Sequence, residues 1–380
     1  MLRCDSPEAI RVSSRRTVLI VDDSALIRTV LRDVISEMDG FDVIGTAADG
    51  REAIAAVKSL RPDIVTLDVE MPGLDGLATL EAIMRESPRP VVMLSGAATA
   101  GGVELTLRAL ELGAVDFVRK ADATAQGQGA IAARLRTALL AAAATNIGAV
   151  SRATGQIVAV GAATPGAPGR MFATRAVSLA STALPARAVV AIAASTGGPR
   201  ALADVVAGLN ADLDAAVLIV QHMPRGFTGG LARRLAQLTG FVVAEAQHGE
   251  LVVHGRVVLA PGGRHMRVEA GPDGARIALD DGPTVWGVKP AADPLFVSVA
   301  QLYGEAAVGV VLTGMGRDGS LGLSAIREAG GGAVVQDETS SAVYGMPREA
   351  LAIAGADRVV TPAGVVPAAT ELLARQRVLK

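Results

Sequence analysis

Three polar residues in the second half of the chain each follow an apolar run. Ser195 follows "AVVAIAA", His222 follows "AVLIVQ", and Asp318 lies shortly after "AVGVVLTG". A serine hydroxyl becomes a nucleophile when histidine takes its proton, and a carboxylate can orient the imidazole. If the runs are parallel strands, their carboxyl ends meet at one sheet edge, so we expect the three side chains in one crevice. These residues predict a serine hydrolase.

Each of these residues also has a structural interpretation. Ser195 could cap the helix that follows it, and Asp318 before Gly319 is typical of a turn. The segment "STGG" could hold a phosphate, but it lacks the lysine and the spacing of a P-loop. Four histidines and one cysteine without close paired spacing disfavour a zinc site. Polar residues after three separate strands favour catalysis.

A second polar group lies in the first half of the chain. Asp22 and Asp23 end a first apolar run, Asp68 ends the third, Ser95 ends the fourth, and Lys120 follows the fifth. Carboxylates this close repel one another unless a cation neutralises them, and Mg²⁺ suits oxygen ligands with open positions. A carboxylate beside Mg²⁺ and lysine can attack a phosphoryl donor. Singly, these residues are typical of turns, helix caps or solvated charges.

The elements that must position these residues alternate between strand-like and helix-like patterns. Alternation over residues 17–144 predicts a (βα)5 flavodoxin-like domain with a parallel sheet covered on both faces. Residues 145–187, rich in Gly, Ala, Thr and Pro, predict an interdomain linker. Alternation resumes over residues 188–380, where a turn at 271–274 indicates a hairpin. We therefore predict two doubly wound α/β domains, the second larger and mainly parallel with an antiparallel hairpin.

Composition limits the classes of function. The 380 residues are 50% hydrophobic with a net charge of −2, so a core is available and no global field attracts nucleic acid. The single cysteine, Cys4, excludes a disulfide framework. No apolar run reaches the length of a membrane helix, and the first sixteen residues lack the apolar segment of a signal peptide. We expect a cytoplasmic monomer that neither binds nucleic acid nor inserts into a membrane.

Residues 17–144 resemble the receiver domain of two-component response regulators. The segments "VDDS", "DVEMPGLDG" and "GAVDFVRK" carry this resemblance. It implies phosphorylation of Asp68 by a histidine kinase. It also implies that Asp23, Asp68 and the backbone carbonyl of Glu70 hold Mg²⁺, with Asp22 assisting.

The same resemblance assigns a switch role to three positions. Ser95, Phe117 and Lys120 match the residues that report the phosphorylated state in receivers. This chain departs from the family pattern at Ala121, where receivers usually have proline after the lysine. The departure bears on the geometry of this loop and leaves the charge pairing intact.

Residues 188–373 are similar to the catalytic domain of chemotaxis protein-glutamate methylesterases. The segments "ASTGGP", "QHMPRGFT", "APGGRHM" and "TGMGRDG" carry the similarity. It implies Ser195 as nucleophile, His222 as base and Asp318 as the acid that orients the base. The backbone N–H groups of Thr196 and Met315 are implied as oxyanion donors. His265 also matches a family position near the active site, with a role left open.

Together, the two resemblances imply a phosphorylation-activated hydrolase that needs no cofactor for its ester chemistry. Its substrates would be glutamate γ-methyl esters, and certain glutamines, on the cytoplasmic helices of chemoreceptors. The unphosphorylated receiver would cover the active site. Two alternatives stay open at this point: the same chemistry on a non-chemotaxis signalling protein, or a non-catalytic regulatory module.

Overall fold

The computed structural model describes residues 15–96, 100–120, 128–150 and 184–378. Two parallel sheets, each covered by helices, confirm the predicted pair of doubly wound α/β domains. Most of the predicted linker, residues 151–183, and Ala121 lie outside the described residues. In the described part of the chain, no helix is long and apolar enough to cross a membrane.

The first sheet has the strand order β2-β1-β3-β4-β5, and β3 and β4 are buried along their whole length. Asp68 is the last residue of β3 and Ser95 the last of β4, which places both at the carboxyl edge. The elements are β1 (Arg16–Val21), α1 (Ala25–Ser36), β2 (Phe41–Ala47), α2 (Gly50–Leu60), β3 (Ile64–Asp68), α3 (Gly76–Glu86), β4 (Val91–Ser95), α4 (Ala100–Glu111), β5 (Asp116–Arg119) and α5 (Gln128–Ala143).

The second sheet has seven parallel strands in the order β14-β13-β12-β6-β7-β9-β8, and the predicted hairpin is the antiparallel pair β10–β11. Its strands are β6 (Val189–Ala194), β7 (Ala216–Gln221), β8 (Val242–Glu245), β9 (Arg256–Leu259), β10 (His265–Gly271), β11 (Gly274–Asp280), β12 (Ala307–Val311), β13 (Gly332–Gln336) and β14 (Arg358–Val360). Its helices are α6 (Gly198–Ala207), α7 (Thr228–Ala236), α8 (Ala292–Tyr303), α9 (Ser320–Glu328), α10 (Gly345–Ile353) and α11 (Val365–Val378).

Sequence patterns predicted four of these parallel strands, and the structure adds β8, β13 and β14. The strands β8 and β14 are three or four residues long, partly exposed, and at the sheet edges, so their apolar pattern is weak. The strand β13 is fully buried, but it starts at the last residue of a run of three glycines, which disfavour strands.

The described ends of the predicted linker contact the second domain. The N–H of Asn146 donates to the carbonyl of Ala342 (2.8 Å), and the N–H of Ala186 donates to the carbonyl of Val252 (2.9 Å). Ala149 and Val150 are buried. Both ends of the segment are therefore fixed by backbone hydrogen bonds or packing.

Candidate active site

Sheet register brings Ser195 and His222 together. Across the β6–β7 pair, Ala194 lies opposite Gln221, so the next residue of each strand leaves the sheet at the same level. The N–H of Ser195 donates to the carbonyl of Thr313, just after β12, at 3.0 Å. Three adjacent strands thus end around the serine, as predicted from the chain order.

His222 and Asp318 form a direct contact although 96 residues separate them. Nε2 of His222 lies 2.7 Å from Oδ2 of Asp318, which is 2% exposed. The N–H groups of Ala292 and Asp293 at the start of α8 also donate to this carboxylate, at 2.5 and 3.0 Å. Burial alone raises the pKa of Asp318, but the His222 contact and these N–H groups outweigh it and hold the pKa below its usual value. Asp318 therefore stays ionised beside the imidazole.

Ser195 does not cap the helix that follows it. Helix α6 begins at Gly198, and its N-cap is Gly197, a left-handed residue (φ 78°) that provides no side-chain cap. Among the described residues, the Ser195 hydroxyl has no hydrogen-bond partner, and the N–H groups of Thr196 and Met315 have no acceptor. A half-buried hydroxyl and two unpaired N–H donors belong to the loops at this sheet edge.

Two buried polar residues that the sequence interpretation missed hold these loops. Gln221 is 2% exposed, and its Nε2 donates to the carbonyls of Ser195 (2.9 Å) and His222 (3.2 Å). The hydroxyl of Thr313 donates to the carbonyl of Thr196 at 2.9 Å. The signal that could have revealed them is a polar residue ending or following an otherwise apolar strand, as in "VLIVQ" and "VVLT".

His265 lies outside the site and holds a neighbouring segment in place. Its buried ring contacts the carbonyl of Pro283 through Nε2 (2.9 Å), and its Nδ1 accepts the N–H of Ala291 (3.2 Å). The ring therefore carries its proton on Nε2 and ties together both ends of the segment before α8. Because that helix start supplies the donors to Asp318, His265 supports the site without lying in it.

The carboxyl edge of the first sheet holds the predicted acidic cluster. Nζ of Lys120 lies 2.7 Å from Oδ2 of Asp22 and 2.6 Å from Oδ2 of Asp68. Both carboxylates are buried, Asp23 is exposed, and one oxygen of each of the three lies within 4.8 Å of the others. Burial raises the pKa of Asp68 to about 6 against the opposing effect of Lys120. Burial acts to lower the pKa of Lys120, but its bonds to both carboxylates raise it overall.

The remaining predicted receiver residues surround this cluster. The N–H of Glu70 donates to Oδ1 of Asp68 at 3.3 Å. Ser95 is buried at the end of β4, and its hydroxyl accepts a hydrogen bond from Thr106 of α4 at 2.9 Å. Phe117 is also buried, on β5, three residues before the lysine. Strand ends and helix α4 therefore connect the acidic cluster to one face of the domain.

That face of the first domain is docked on the second. The ring centroids of Phe117 and Phe227 are 4.5 Å apart. Nε of Arg234 in α7 donates to Oε1 of Glu111 at 2.6 Å, and its other nitrogens contact Glu111 and Glu104. The interface thus has an apolar centre with an ion-pair cluster beside it.

The loop that carries Met315 also contacts the first domain. The Met315 side chain packs against the apolar cluster formed by α1, α5 and the strands beneath them. A second close contact between the domains joins α7 to α4, where a Cβ at Gly230 would lie 2.9 Å from the Leu107 side chain. One of the two unpaired N–H groups of the site therefore lies in a residue held by the neighbouring domain.

The fold and the two sites define a response regulator whose output domain is a hydrolase. Family models match residues 18–132 as a response regulator receiver domain and residues 190–369 as a CheB methylesterase. The chain is 45% identical to the protein-glutamate methylesterase/protein-glutamine glutaminase of Symbiobacterium thermophilum, over 93% of this chain and 95% of that protein. The corresponding protein of Pyrococcus horikoshii is 40% identical over 90% and 89% of the two chains. The chain belongs to the CheB methylesterase family.

The chain is also similar to a solved structure. The crystal structure of the Thermotoga maritima CheB methylesterase catalytic domain is 35% identical, covers 49% of this chain and 98% of its own, and has a TM-score of 0.48.

Proposed function

We propose that this chain hydrolyses glutamate γ-methyl esters on the cytoplasmic helices of chemoreceptors, and deamidates certain glutamines there, under control of Asp68 phosphorylation. The observation that carries the proposal is the 2.7 Å His222–Asp318 contact at the sheet edge where Ser195 leaves β6. The relatives are named protein-glutamate methylesterase/protein-glutamine glutaminase, which supports the substrate class.

The proposed reaction starts at the hydroxyl of Ser195. The imidazole tautomer that donates Nε2–H to Asp318 keeps Nδ1 as the proton acceptor. Ser195 Oγ bonds to the ester carbonyl carbon as its proton passes to His222. The N–H groups of Thr196 and Met315 then stabilise the oxyanion that develops.

Collapse of the tetrahedral intermediate breaks the bond to the methoxy oxygen. His222 gives its proton to that oxygen, so methanol leaves and an acyl-serine remains. A water molecule, deprotonated by His222, attacks the acyl carbon. The bond from that carbon to Ser195 Oγ then breaks, His222 returns the proton to Oγ, and the glutamate side chain leaves as its carboxylic acid. For a glutamine substrate, ammonia leaves in place of methanol by the same proton transfers.

The acidic cluster is the proposed phosphorylation site. Asp22, Asp23 and Asp68 oppose the single ammonium of Lys120, so the cluster has an excess of negative charge that suits Mg²⁺. Asp23, Asp68 and the backbone carbonyl of Glu70 would hold the ion with Asp22 assisting, and the bound ion would neutralise charge on the transferring phosphoryl group. The phosphodonor would be a histidine kinase.

Docking of the two domains supports a gating role for this site. A phosphoryl group on Asp68 adds charge and acceptor oxygens beside Lys120 and Ser95. Phe117 lies on β5, which ends at Arg119, the residue before Lys120. The ring of Phe117 packs on Phe227 of the hydrolase domain. A shift of that strand would weaken the docking, and a bias of a few kcal/mol is sufficient to change a two-state equilibrium.

Methanol release from methylated receptor membranes tests the proposal. We expect release by the wild type to increase when a small phosphodonor is added, to vanish in Ser195→Ala, and to lose its phosphodonor response in Asp68→Asn. The matched controls are Ser59→Ala on α2 and Asp39→Asn in the turn before β2, both exposed.

Three results would contradict parts of the proposal. Full activity of Ser195→Ala would overturn the nucleophile. A phosphodonor response that survives in Asp68→Asn would overturn the gating site. Failure of the wild type on every methylated receptor would favour another signalling protein as substrate, or a non-catalytic regulatory module.

A further inference from the structure

The segment between β11 and α8 displays an aromatic residue at its tip. Val285 and Val288 exchange backbone hydrogen bonds of 3.2 and 3.0 Å, which makes a two-residue turn. The turn residues, Trp286 and Gly287, both have positive φ, 54° and 77°. Such positions favour Gly, Asn or Asp, and a tryptophan there is strained. A strained residue that persists next to a reaction centre indicates a use for its side chain.

Two contacts hold the indole of Trp286 in place. Its Nε1 donates to Oδ2 of Asp293 at 2.7 Å, in the helix turn whose N–H groups hold Asp318. The guanidinium of Arg317, the residue before Asp318, lies 4.9 Å from the centre of the ring. Trp286 is nevertheless 47% exposed. Packing alone does not explain an aromatic residue that is fixed so closely and left so open to solvent.

Basic side chains lie at the tip and at the start of this segment, although the chain as a whole is slightly acidic. Arg317 is exposed beside the indole. Arg225, with 73% of its side chain exposed, and Arg264 both approach Asp281 at the start of the segment, at 3.9 and 3.3 Å. An apolar ring beside an exposed guanidinium group complements a helix that carries carboxylates next to apolar side chains.

We infer that Trp286 and Arg317 form a docking lip for the substrate helix. The ring of Trp286 covers apolar side chains of that helix, and Arg317 pairs with a glutamate carboxylate on it. This inference rests on the proposed function, because the acidic helix is the segment that bears the esterified glutamates. It adds the surface that selects the helix, which the triad alone does not provide.

The docking lip is accessible in the docked arrangement of the two domains. Met315 packs against the receiver domain, whereas Trp286 and Arg317 stay exposed. The substrate helix can therefore engage the lip before the receiver moves. Phosphorylation then acts on turnover more than on the affinity for the helix.

Binding to an inactive protein tests the lip without turnover. The probe is a tryptophan-free chemoreceptor cytoplasmic fragment with esterified glutamates, titrated into the full chain carrying Ser195→Ala. Because Trp286 is the only tryptophan, its emission reports directly on contact at this turn. We expect saturable emission changes, with a Kd that a phosphodonor alters less than twofold. By calorimetry, Arg317→Glu and Trp286→Ala should each raise the Kd by about tenfold, the loss expected for one of the minority of interface residues that contribute strongly.

The matched control is Arg187→Glu, an exposed arginine just before β6 at the opposite, amino edge of the sheet. We expect this change to leave the Kd within twofold. Trp286→Phe keeps a ring and removes the Asp293 hydrogen bond, so we expect an intermediate Kd. Fragment binding that neither Arg317→Glu nor Trp286→Ala weakens, or no binding at all, overturns the lip.

Turnover separates this inference from the proposed function. In the protein that retains Ser195, Arg317→Glu should raise the KM for the receptor fragment about tenfold. The same change should alter the rate of p-nitrophenyl acetate hydrolysis less than twofold. Cleavage of the small ester without cleavage of receptor esters would overturn the proposed function, while lip-dependent binding would still support the docking surface. An equal loss on both substrates would overturn the lip, because Arg317 would then act on the triad.

Discussion

The ring of Phe117 in the receiver domain lies 4.5 Å, centroid to centroid, from the ring of Phe227 in the hydrolase domain, with the planes tilted by 33°. Both rings are buried, so each completes the core of the other domain. The strand that carries Phe117 also leads to Lys120 at the acidic cluster. This pair therefore connects the strand that leads to the acidic cluster with the hydrolase domain.

Shortening Phe227 should release part of the gate. In Phe227→Leu the aromatic pair is lost, which removes about 0.5–1.5 kcal/mol from the docked state. We expect methanol release without phosphodonor to rise about two- to tenfold, and stimulation by a phosphodonor to shrink by the same factor. The control is Phe296→Leu, a buried phenylalanine in the other core cluster of the hydrolase domain. Equal basal activity in both variants would contradict the gate.

Reversing the charge of Arg234 should also weaken the docking of the receiver domain on the hydrolase domain. Burial lowers the pKa of Arg234, but the bonds to Glu111 and Glu104 raise it above its usual value. The side chain is therefore always charged. Arg234→Glu places a carboxylate against Glu104 and Glu111, and we expect increased methanol release without phosphodonor. Arg233→Glu, the exposed neighbour in α7, should leave release unchanged.

A second change tests the same contact by rescue. Glu111→Arg combined with Arg234→Glu restores one pair of opposite charges, so the double variant should regain part of the phosphodonor response. Additive loss in the double variant would contradict a direct ion pair.

Magnesium should stabilise the protein more at neutral than at acid pH. The folded pKa of Asp68, about 6, lies above its ordinary value of 3.8. Ionised Asp68 thus costs stability in the metal-free protein, a cost absent below the ordinary value and complete above about pH 6. Mg²⁺ at about 100 times its Kd should add about 2.7 kcal/mol at about pH 7.5, and about half of that at about pH 5, where protons compete for Asp68.

Thermal unfolding with and without the ion measures this effect. Asp68→Asn should reduce the stabilisation at both pH values, whereas Asp39→Asn should preserve it, since Asp39 is exposed in a turn before β2. An equal magnesium effect at both pH values would contradict the involvement of Asp68.

Gln221 should affect the rate constant more than substrate affinity. In Gln221→Leu, the carbonyls of Ser195 and His222 lose a buried donor, which costs about 1–3 kcal/mol of stability. These carbonyls belong to the proposed nucleophile and base. A small loss of their alignment should therefore lower kcat by about 10- to 100-fold with little change in KM. Gln237→Leu, on the exposed surface after α7, is the control. A rise in KM at constant kcat would contradict this positioning role.

Most of the architecture follows from local patterns. Apolar runs of strand length alternate with amphipathic helices, and this alternation permits few arrangements other than a parallel sheet with helices on both faces. The hairpin at Gly271–Gly274 followed from its turn residues. The short strands β8 and β14 were missed because edge strands bury too few residues to leave a pattern.

The sequence by itself determined the two α/β domains, the family, and the chain order that brings Ser195, His222 and Asp318 to one edge. Local periodicity and strand ends suffice for this, since a parallel sheet aligns its carboxyl ends. Only the tertiary structure decided that Ser195 is not a helix cap, because capping depends on where α6 begins. It alone revealed the Phe117–Phe227 docking, the buried donors of Gln221 and the exposed Trp286. These features arise from contacts between residues far apart in sequence, which depend on the shape of packed surfaces and leave no local pattern.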